Sequence, residues 1–356
     1  MIRFPVTISA MIPKIKMKRS PKTITIQNVA RTAGVSVSTV SRVLNSKDDV
    51  SEETMEKVQA VVKELGYASS LAARGMRSRR TNVIGMIFPD VASPYCHEIM
   101  RGVNRVIAQS ERDLIIYTSG GGAKGSVAYH ERSYVAVLNG GTADGVIVVT
   151  PTAATFSSHA PLVILDPNNE SPDVPAVIAT NREGSLAAMN YLTGLGHRRI
   201  GHITGRMELV SANQRLQGYK DGLEAAGIPY DETLVKIGDY VEDTAFQCAQ
   251  MLLSLQGRPT AIFAANDMSA MGVYRAAKAA GLQIPQDLSV IGFDNLRESA
   301  FTLPALTTVD QFLEEMGAVA TVMLERLINN EKLPHKLQVI QTQLILRNSC
   351  APPPKN

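Results

Sequence analysis

The chain has 356 residues, of which 45% are hydrophobic and 19% charged, and its net charge is +3. That is enough for two or three domains with a sizeable core, and the apolar runs, such as GVIVV at 145–149, are too short to span a membrane. Cys96, Cys248 and Cys350 are odd in number, far apart and without zinc-site spacing, which argues against a disulfide framework or cysteine zinc site and fits a reducing cytoplasm.

The charge is unevenly placed. Residues 1–80 carry 15 Lys and Arg against 6 Asp and Glu, a net of +9, leaving −6 on the rest. A basic front on an acidic body points to an anionic partner for the front alone. Residues 1–22 read as a disordered basic tail, not a signal peptide: Pro5, Thr7, Ser9 and Pro13 interrupt the apolar stretch, and no small-x-small cleavage site follows. Met11 or Met17 is an alternative start.

Three short helices follow. Thr25 caps the first, 26–33, with Val29 and Ala30 inward. Gly34 supplies a tight turn. Ser36 caps the second, which runs to Asn45 with Val37, Val40, Val43 and Leu44 at three- and four-residue spacing. Ser51 starts the third, with Glu52 and Glu53 in its first turn and a stripe of Met55, Val58, Val62 and Leu65; Gly66 ends it. Two helices joined by a glycine turn, plus a third, make a helix-turn-helix. The second helix is crowded with Ser36, Ser38, Thr39 and Ser41. Small hydroxyl residues are mediocre helix formers but let a helix approach phosphates and base edges in the major groove, where Arg42 can reach a guanine edge or a phosphate. The alternative is a three-helix module for protein contacts.

The stretch TIQNVARTAGVSVSTVSRVLN (25–45), followed by VSEETMEKVQAVVKELGY (50–67), resembles the headpiece of the lactose-repressor (LacI/GalR) family of bacterial transcription regulators, and the resemblance extends through nearly all of residues 23–347. It implies that Val37 and Ser38 occupy the paired base-reading positions, that Arg42 is the basic reader, and that Thr25, Ser36, Thr39 and Asn45 hold the DNA backbone. Residues 69–81, SSLAARGMRSRRT, are rich in helix formers but too short to be a stable helix alone. The resemblance makes them a hinge helix, two copies of which pair in the minor groove. Met76 then takes the wedge position where the family usually has Leu. Ala68, Ser69 and Ser70 replace the usual Pro and Asn, and Gly75 weakens the helix. Arg77, with Arg74, Arg79 and Arg80, can neutralise phosphates. The alternative is a plain basic linker.

From Val83 onward, apolar strands alternate with helices. The strands are 83–88, 114–117, 145–149, 162–165, 176–179, 200–203, 261–265 and 289–293; helical stretches include 95–109, 183–194, 213–226, 268–280 and 313–329. Such alternation means parallel sheets covered on both faces. The expected fold is an all-α headpiece (23–68) followed by an α/β core (82–347) of two doubly wound, periplasmic-binding-protein-like subdomains facing a cleft, with a tail at 348–356. The resemblance adds three chain crossings: a first subdomain of 82–180 and 309–333, and a second of 181–308 and 334–347 that the strand VIQTQLIL completes.

Ligands bind at the carboxyl ends of such strands. Asp90, Asp166, Asn266, Asp267 and Asp294 stand there, with Arg215 in a following helix and Tyr95 and Tyr240 nearby. Carboxylates, an amide and an arginine grip neighbouring hydroxyls while an aromatic face covers an apolar ring, which describes a sugar-type site. By resemblance, Arg215 and Asp294 are the main effector contacts, Tyr240 stacks on the ligand ring, Asp166 and Asn266 are polar contacts, and Tyr95 is a wall. Asp267 reads better as a cap of the helix that begins there, while Asp90 reads equally as a ligand contact or as the cap of the helix after Pro94.

No cofactor, metal site or catalytic triad is expected. GGGAKG (120–125) lacks the Lys-Ser/Thr of a P-loop, and His197 and His202 are poorly spaced for a metal. The reading is a cytoplasmic, nucleoid-associated repressor, not an enzyme, whose affinity for a pseudo-palindromic double-stranded operator is controlled by a small carbohydrate. Its ending, NSCAPPPKN, has no heptads, so a homodimer is expected. The alternatives are a sugar solute-binding protein of a transporter, or a co-repressor-dependent regulator sensing a nucleobase or phosphosugar.

Overall fold

The computed structural model describes residues 24–44, 49–66, 80–110, 112–120 and 126–354. The tail at 1–22, Asn45, residues 121–125 of the glycine-rich stretch and most of the 69–81 hinge, including Met76 and Arg77, lie outside the described residues. The chain divides into two compact units, residues 1–74 and 75–356.

The first unit contains helices α1 (Ile26–Ala33), α2 (Val37–Leu44) and α3 (Glu52–Leu65). Thr25 and Asn28 form a reciprocal capping box: Thr25 N–H donates to Asn28 Oδ1 at 2.9 Å, and Asn28 N–H to Thr25 Oγ1 at 3.4 Å. Gly34 closes α1 with φ 65°, a left-handed turn that suits glycine. Ser36 Oγ accepts the Thr39 N–H at 3.0 Å and so caps α2. The core is Val29, Ala30, Ala33, Val40, Val43, Val58 and Val61. Two expectations are corrected. Val37 is 40% exposed and lies outside the apolar stripe. In α3, Val61 joins Val58 in the interior while Met55, Val62 and Leu65 form its edge.

The second unit runs β1 (Val83–Phe88), α4 (Pro94–Ile107), β2 (Asp113–Thr118), α5 (Val127–Asn139), β3 (Gly145–Val149), β4 (Leu162–Leu165), β5 (Ala176–Ala179), α6 (Asn181–Gly194), β6 (Ile200–Ile203), α7 (Val210–Ala225) and β7 (Val235–Lys236). It continues with α8 (Glu242–Leu253), β8 (Ala261–Ala264), α9 (Asp267–Ala279), β9 (Ser289–Asp294), β10 (Thr307–Asp310), α10 (Leu313–Ile328), β11 (Leu337–Ile340) and β12 (Gln343–Ile345). These strands form two six-stranded sheets, in the orders β11-β5-β4-β3-β1-β2 and β12-β10-β9-β8-β6-β7. Every pairing is parallel except β10 with β12. Central strands such as β1, β3 and β4 are buried throughout, as strands covered on both faces must be.

The chain passes between the sheets at Thr180, at 311–312 and at 341–342. Thr180 Oγ1 accepts the Thr342 N–H at 2.9 Å, tying the first crossing to the third. The expected assignment of 334–347 to the second subdomain is corrected here. VIQTQLIL is not one strand: residues 337–340 pair with β5 in the first sheet, and only 343–345 reach the second. The break falls at Thr342, whose backbone N–H is spent on Thr180 and not on a ladder. Nor do residues 348–354, the described part of the expected tail, hang free. Ser349 is fully buried and donates to Val290 O at 2.6 Å while accepting from Thr307 N–H at 2.8 Å.

Candidate functional site

In the first unit, the outer face of α2 presents Ser36, Val37, Ser38 and Arg42, all exposed, with Thr39 half-buried beside them. Ser36 Oγ lies 2.6 Å from Ser38 Oγ and 2.8 Å from Thr39 Oγ1. This makes a cluster of small hydroxyls at a helix N-terminus, where backbone N–H groups and the helix dipole favour anions. Arg42 Nε is 3.5 Å from Asp49 Oδ2, and both side chains are more than half exposed, so this pair holds the guanidinium only weakly. Thr25 hydrogen-bonds with Asn28 at the start of α1.

In the second unit, a cavity of roughly 200 Å³ lies between the two sheets, lined by Asp90, Tyr95, Asp166, Arg215, Tyr240, Asn266 and Asp294 among others. All seven residues expected at a ligand site thus meet in one place. Arg215, only 4% exposed, is held from several sides. Its Nε donates to Asn181 Oδ1 at 2.9 Å and its Nη1 to Ala265 O at 2.5 Å. Nη1 also lies 3.4 Å from Asp294 Oδ1, and the guanidinium stacks 3.8 Å over the Phe293 ring. Asp294 Oδ1 further accepts from Gln311 Nε2 at 2.6 Å. Burial pushes the Asp294 carboxyl up to about 7, outweighing the opposing pull of Arg215 and Gln311. Burial raises Asp166 as well, against Arg215 and Ser211.

The aromatic walls are equally constrained. Tyr95 OH meets Thr150 Oγ1 at 2.9 Å. The Tyr240 ring lies so close to Gly205 that an added Cβ there would come within 1.9 Å of Cζ, so glycine is required. The Tyr240 hydroxyl makes no well-formed hydrogen bond, with Ser211 alongside. Backbone strain concentrates here. Of eight non-glycine described residues with positive φ, four line the cavity: Thr150, Asp166, Tyr240 and Asp294. Strain of this kind persists where surrounding structure over-determines it, and it clusters at ligand clamps.

The model for bacterial regulatory proteins of the lacI family matches residues 25–70, and that for a periplasmic binding protein-like domain matches 189–350. The HTH-type transcriptional repressor PurR of Escherichia coli O139:H28 is 35% identical over 339 residues, covering 93% of this chain and 98% of that one. The chain belongs to the lacI family of bacterial regulatory proteins. Among solved structures, the transcriptional regulator CelR–cellobiose complex is similar with 30% identity and a TM-score of 0.69, covering 92% of this chain and 99% of that one. The lac repressor dimer bound to operator and the anti-inducer ONPF follows with 26% identity and a TM-score of 0.76, covering 93% and 100%. As a member of the lacI family, the chain is a DNA-binding transcriptional repressor with a small-molecule effector.

Within this lacI-family core, several residues differ from expectation. Asn266, not Asp267, caps α9: its Oδ1 accepts the Ser269 N–H at 2.9 Å, and its Nδ2 donates to Tyr240 O at 3.2 Å. Asp267 is fully buried beyond the cavity and accepts from Leu296 N–H at 2.8 Å and Thr308 Oγ1 at 2.5 Å. Asp90 caps no helix; it accepts the Ala92 N–H at 2.9 Å in a turn at the cavity rim. His202 stacks between Tyr219 and Phe263, and burial pulls it down to about 4. Among the described residues, no cluster of three or more His, Cys, Asp or Glu is placed to hold a metal, and no helix is long and apolar enough to cross a membrane. Sequence reasoning missed Thr150, Ser211, Asn181 and Gln311. Ser211 was findable one helical turn before Arg215; the others show no local signal.

Proposed function

We propose that this repressor is a homodimer that binds a near-palindromic operator and is released by a small neutral carbohydrate. The observation that carries the ligand class is the combination of buried Asp166, Arg215 and Asp294 with the Tyr240 ring around one cavity. Carboxylates accept from sugar hydroxyls, the free edge of Arg215 donates to them, and the ring covers an apolar sugar face. Asp90, Asp166, Asp239 and Asp294 facing Arg206 and Arg215 leave the lining without the excess of positive charge that a phosphate needs, which disfavours a phosphosugar. The cellobiose bound to CelR and the operator-bound lac repressor dimer support the same reading. A two-fold dimer presents two headpieces to two half-sites.

On the DNA side, Arg42 reads a guanine edge, Val37 meets a thymine methyl and Ser38 adds a weak hydrogen bond. Thr25, Ser36, Thr39 and Asn45 hold phosphates; Met76 wedges the minor groove, and Arg77 neutralises phosphate beside it. The protein works in the cytoplasm and catalyses no reaction. The test is operator binding at fixed salt, titrated with a panel of mono- and disaccharides, with nucleobases as the comparison. One sugar is expected to weaken binding about tenfold or more, roughly 1.4 kcal/mol of coupling. A response to nucleobases and to no sugar would overturn the carbohydrate assignment.

A further inference from the structure

Asn168 lies in the loop after β4, in the first subdomain, and its amide touches both walls of the cleft. Its Oδ1 accepts the N–H of Val210 at 3.0 Å, and Val210 is the first residue of α7 in the second subdomain. Its Nδ2 donates to Thr152 O at 3.0 Å in its own subdomain. The first N–H groups of a helix have no partner within it, and α7 starts after Leu209, a residue with no side-chain acceptor. One of those N–H groups is therefore satisfied from the opposite side of the cleft.

The other end of this contact is anchored. Thr152 and Ala153 donate their N–H groups to Glu131 Oε1 at 2.9 Å and Oε2 at 2.8 Å. Glu131, on α5, is 1% exposed. The segments so pinned are those that shape the effector cavity. Leu209 and Ser211, on either side of Val210, line it, as does Thr150, two residues before Thr152. Arg215 lies little more than one turn into α7.

We propose that Asn168 is a positioning residue of the effector site, a helix cap supplied to α7 from across the cleft and anchored through Thr152 to Glu131. The bonds at the chain crossings, Thr180 with Thr342 and Gln311 with Asp294, join the subdomains where the chain itself passes between them. The Asn168 bond joins the same two subdomains through residues outside those crossings. A carboxamide suits both contacts, since it accepts from Val210 and donates to Thr152 without bringing a charge into the cleft.

Hydrogen exchange followed by mass spectrometry on the full-length protein, with no ligand added, tests this. The reporter is the segment 206–214, compared among wild type, Asn168→Ala, Asn168→Asp and Asn168→Leu, with 26–65 as internal control. Asn168→Ala is expected to speed exchange at 206–214 about tenfold and leave the control unchanged. Asn168→Asp keeps the acceptor at a helix N-terminus but loses the donor to Thr152, and is expected to restore part of the protection. Unchanged exchange in Asn168→Ala would overturn the proposal. So would protection kept in full by Asn168→Leu, which is similar in size but has no acceptor, since Asn168 would then act by packing alone.

Discussion

At Asp294, burial and an arginine pull one proton in opposite directions. The carboxyl is enclosed, bonded to Gln311 and within 3.4 Å of the Arg215 guanidinium, yet it is pushed up to about 7, because losing water costs the carboxylate more than these partners return. The folded state therefore holds this proton more tightly than the unfolded chain, where an aspartate titrates near its usual value of about 3.9. Its contribution to stability is complete below that value and is lost as pH rises through about 7. Melting temperature is accordingly expected to fall from pH 5 to pH 8 less steeply in Asp294→Asn than in wild type. Parallel curves would assign the slope to the other raised carboxyls, Asp166 and Asp267, and leave Asp294 ionised throughout.

Helix α2 has one face for its core and one for DNA, and its sequence separates them. Val40 and Val43 are buried, while Val37 and Arg42 are exposed. Arg42→Ala removes no packing, so the melting temperature of the headpiece should stay unchanged. The preference for operator over a sequence with one half-site mutated should fall by about 1–3 kcal/mol if Arg42 reads a base. Equal weakening on both sequences would make it a phosphate contact. Other elements were legible to different degrees. Runs such as VIGMIF and GVIVV coincide with β1 and β3 because a fully buried parallel strand needs an unbroken apolar run. Strand β10 was hidden, since it buries Thr307 and Thr308, whose hydroxyls bond Arg347 N–H and Asp267. The division of VIQTQLIL depends on Thr180, more than 150 residues away, and no local pattern reports that. Asp90, Asp166, Asn266 and Asp294 were readable as polar groups at strand ends. Their supports, Asn181, Gln311 and Asn168, were not, because each acts through a partner distant in sequence.

The whole molecule partitions its charge as it partitions its tasks, +9 on the first 80 residues and −6 on the rest. The two parts should respond to salt differently. A pair of headpieces neutralising about 6–10 phosphates loses roughly 10³–10⁵ in operator affinity between about 50 and 200 mM salt, through release of the DNA's counterions. A neutral sugar in a buried cavity releases none, and the groups around it, Arg215 and Asp294 above all, are only 4% exposed and poorly screened. Effector affinity, measured by calorimetry over the same salt range, should therefore stay flat while operator affinity collapses. An effector whose binding weakens with salt would carry its own negative charge. Arg206, at the cavity wall and 31% exposed, would then be its partner, and the ligand would be a phosphosugar or a carboxylate, not a neutral carbohydrate.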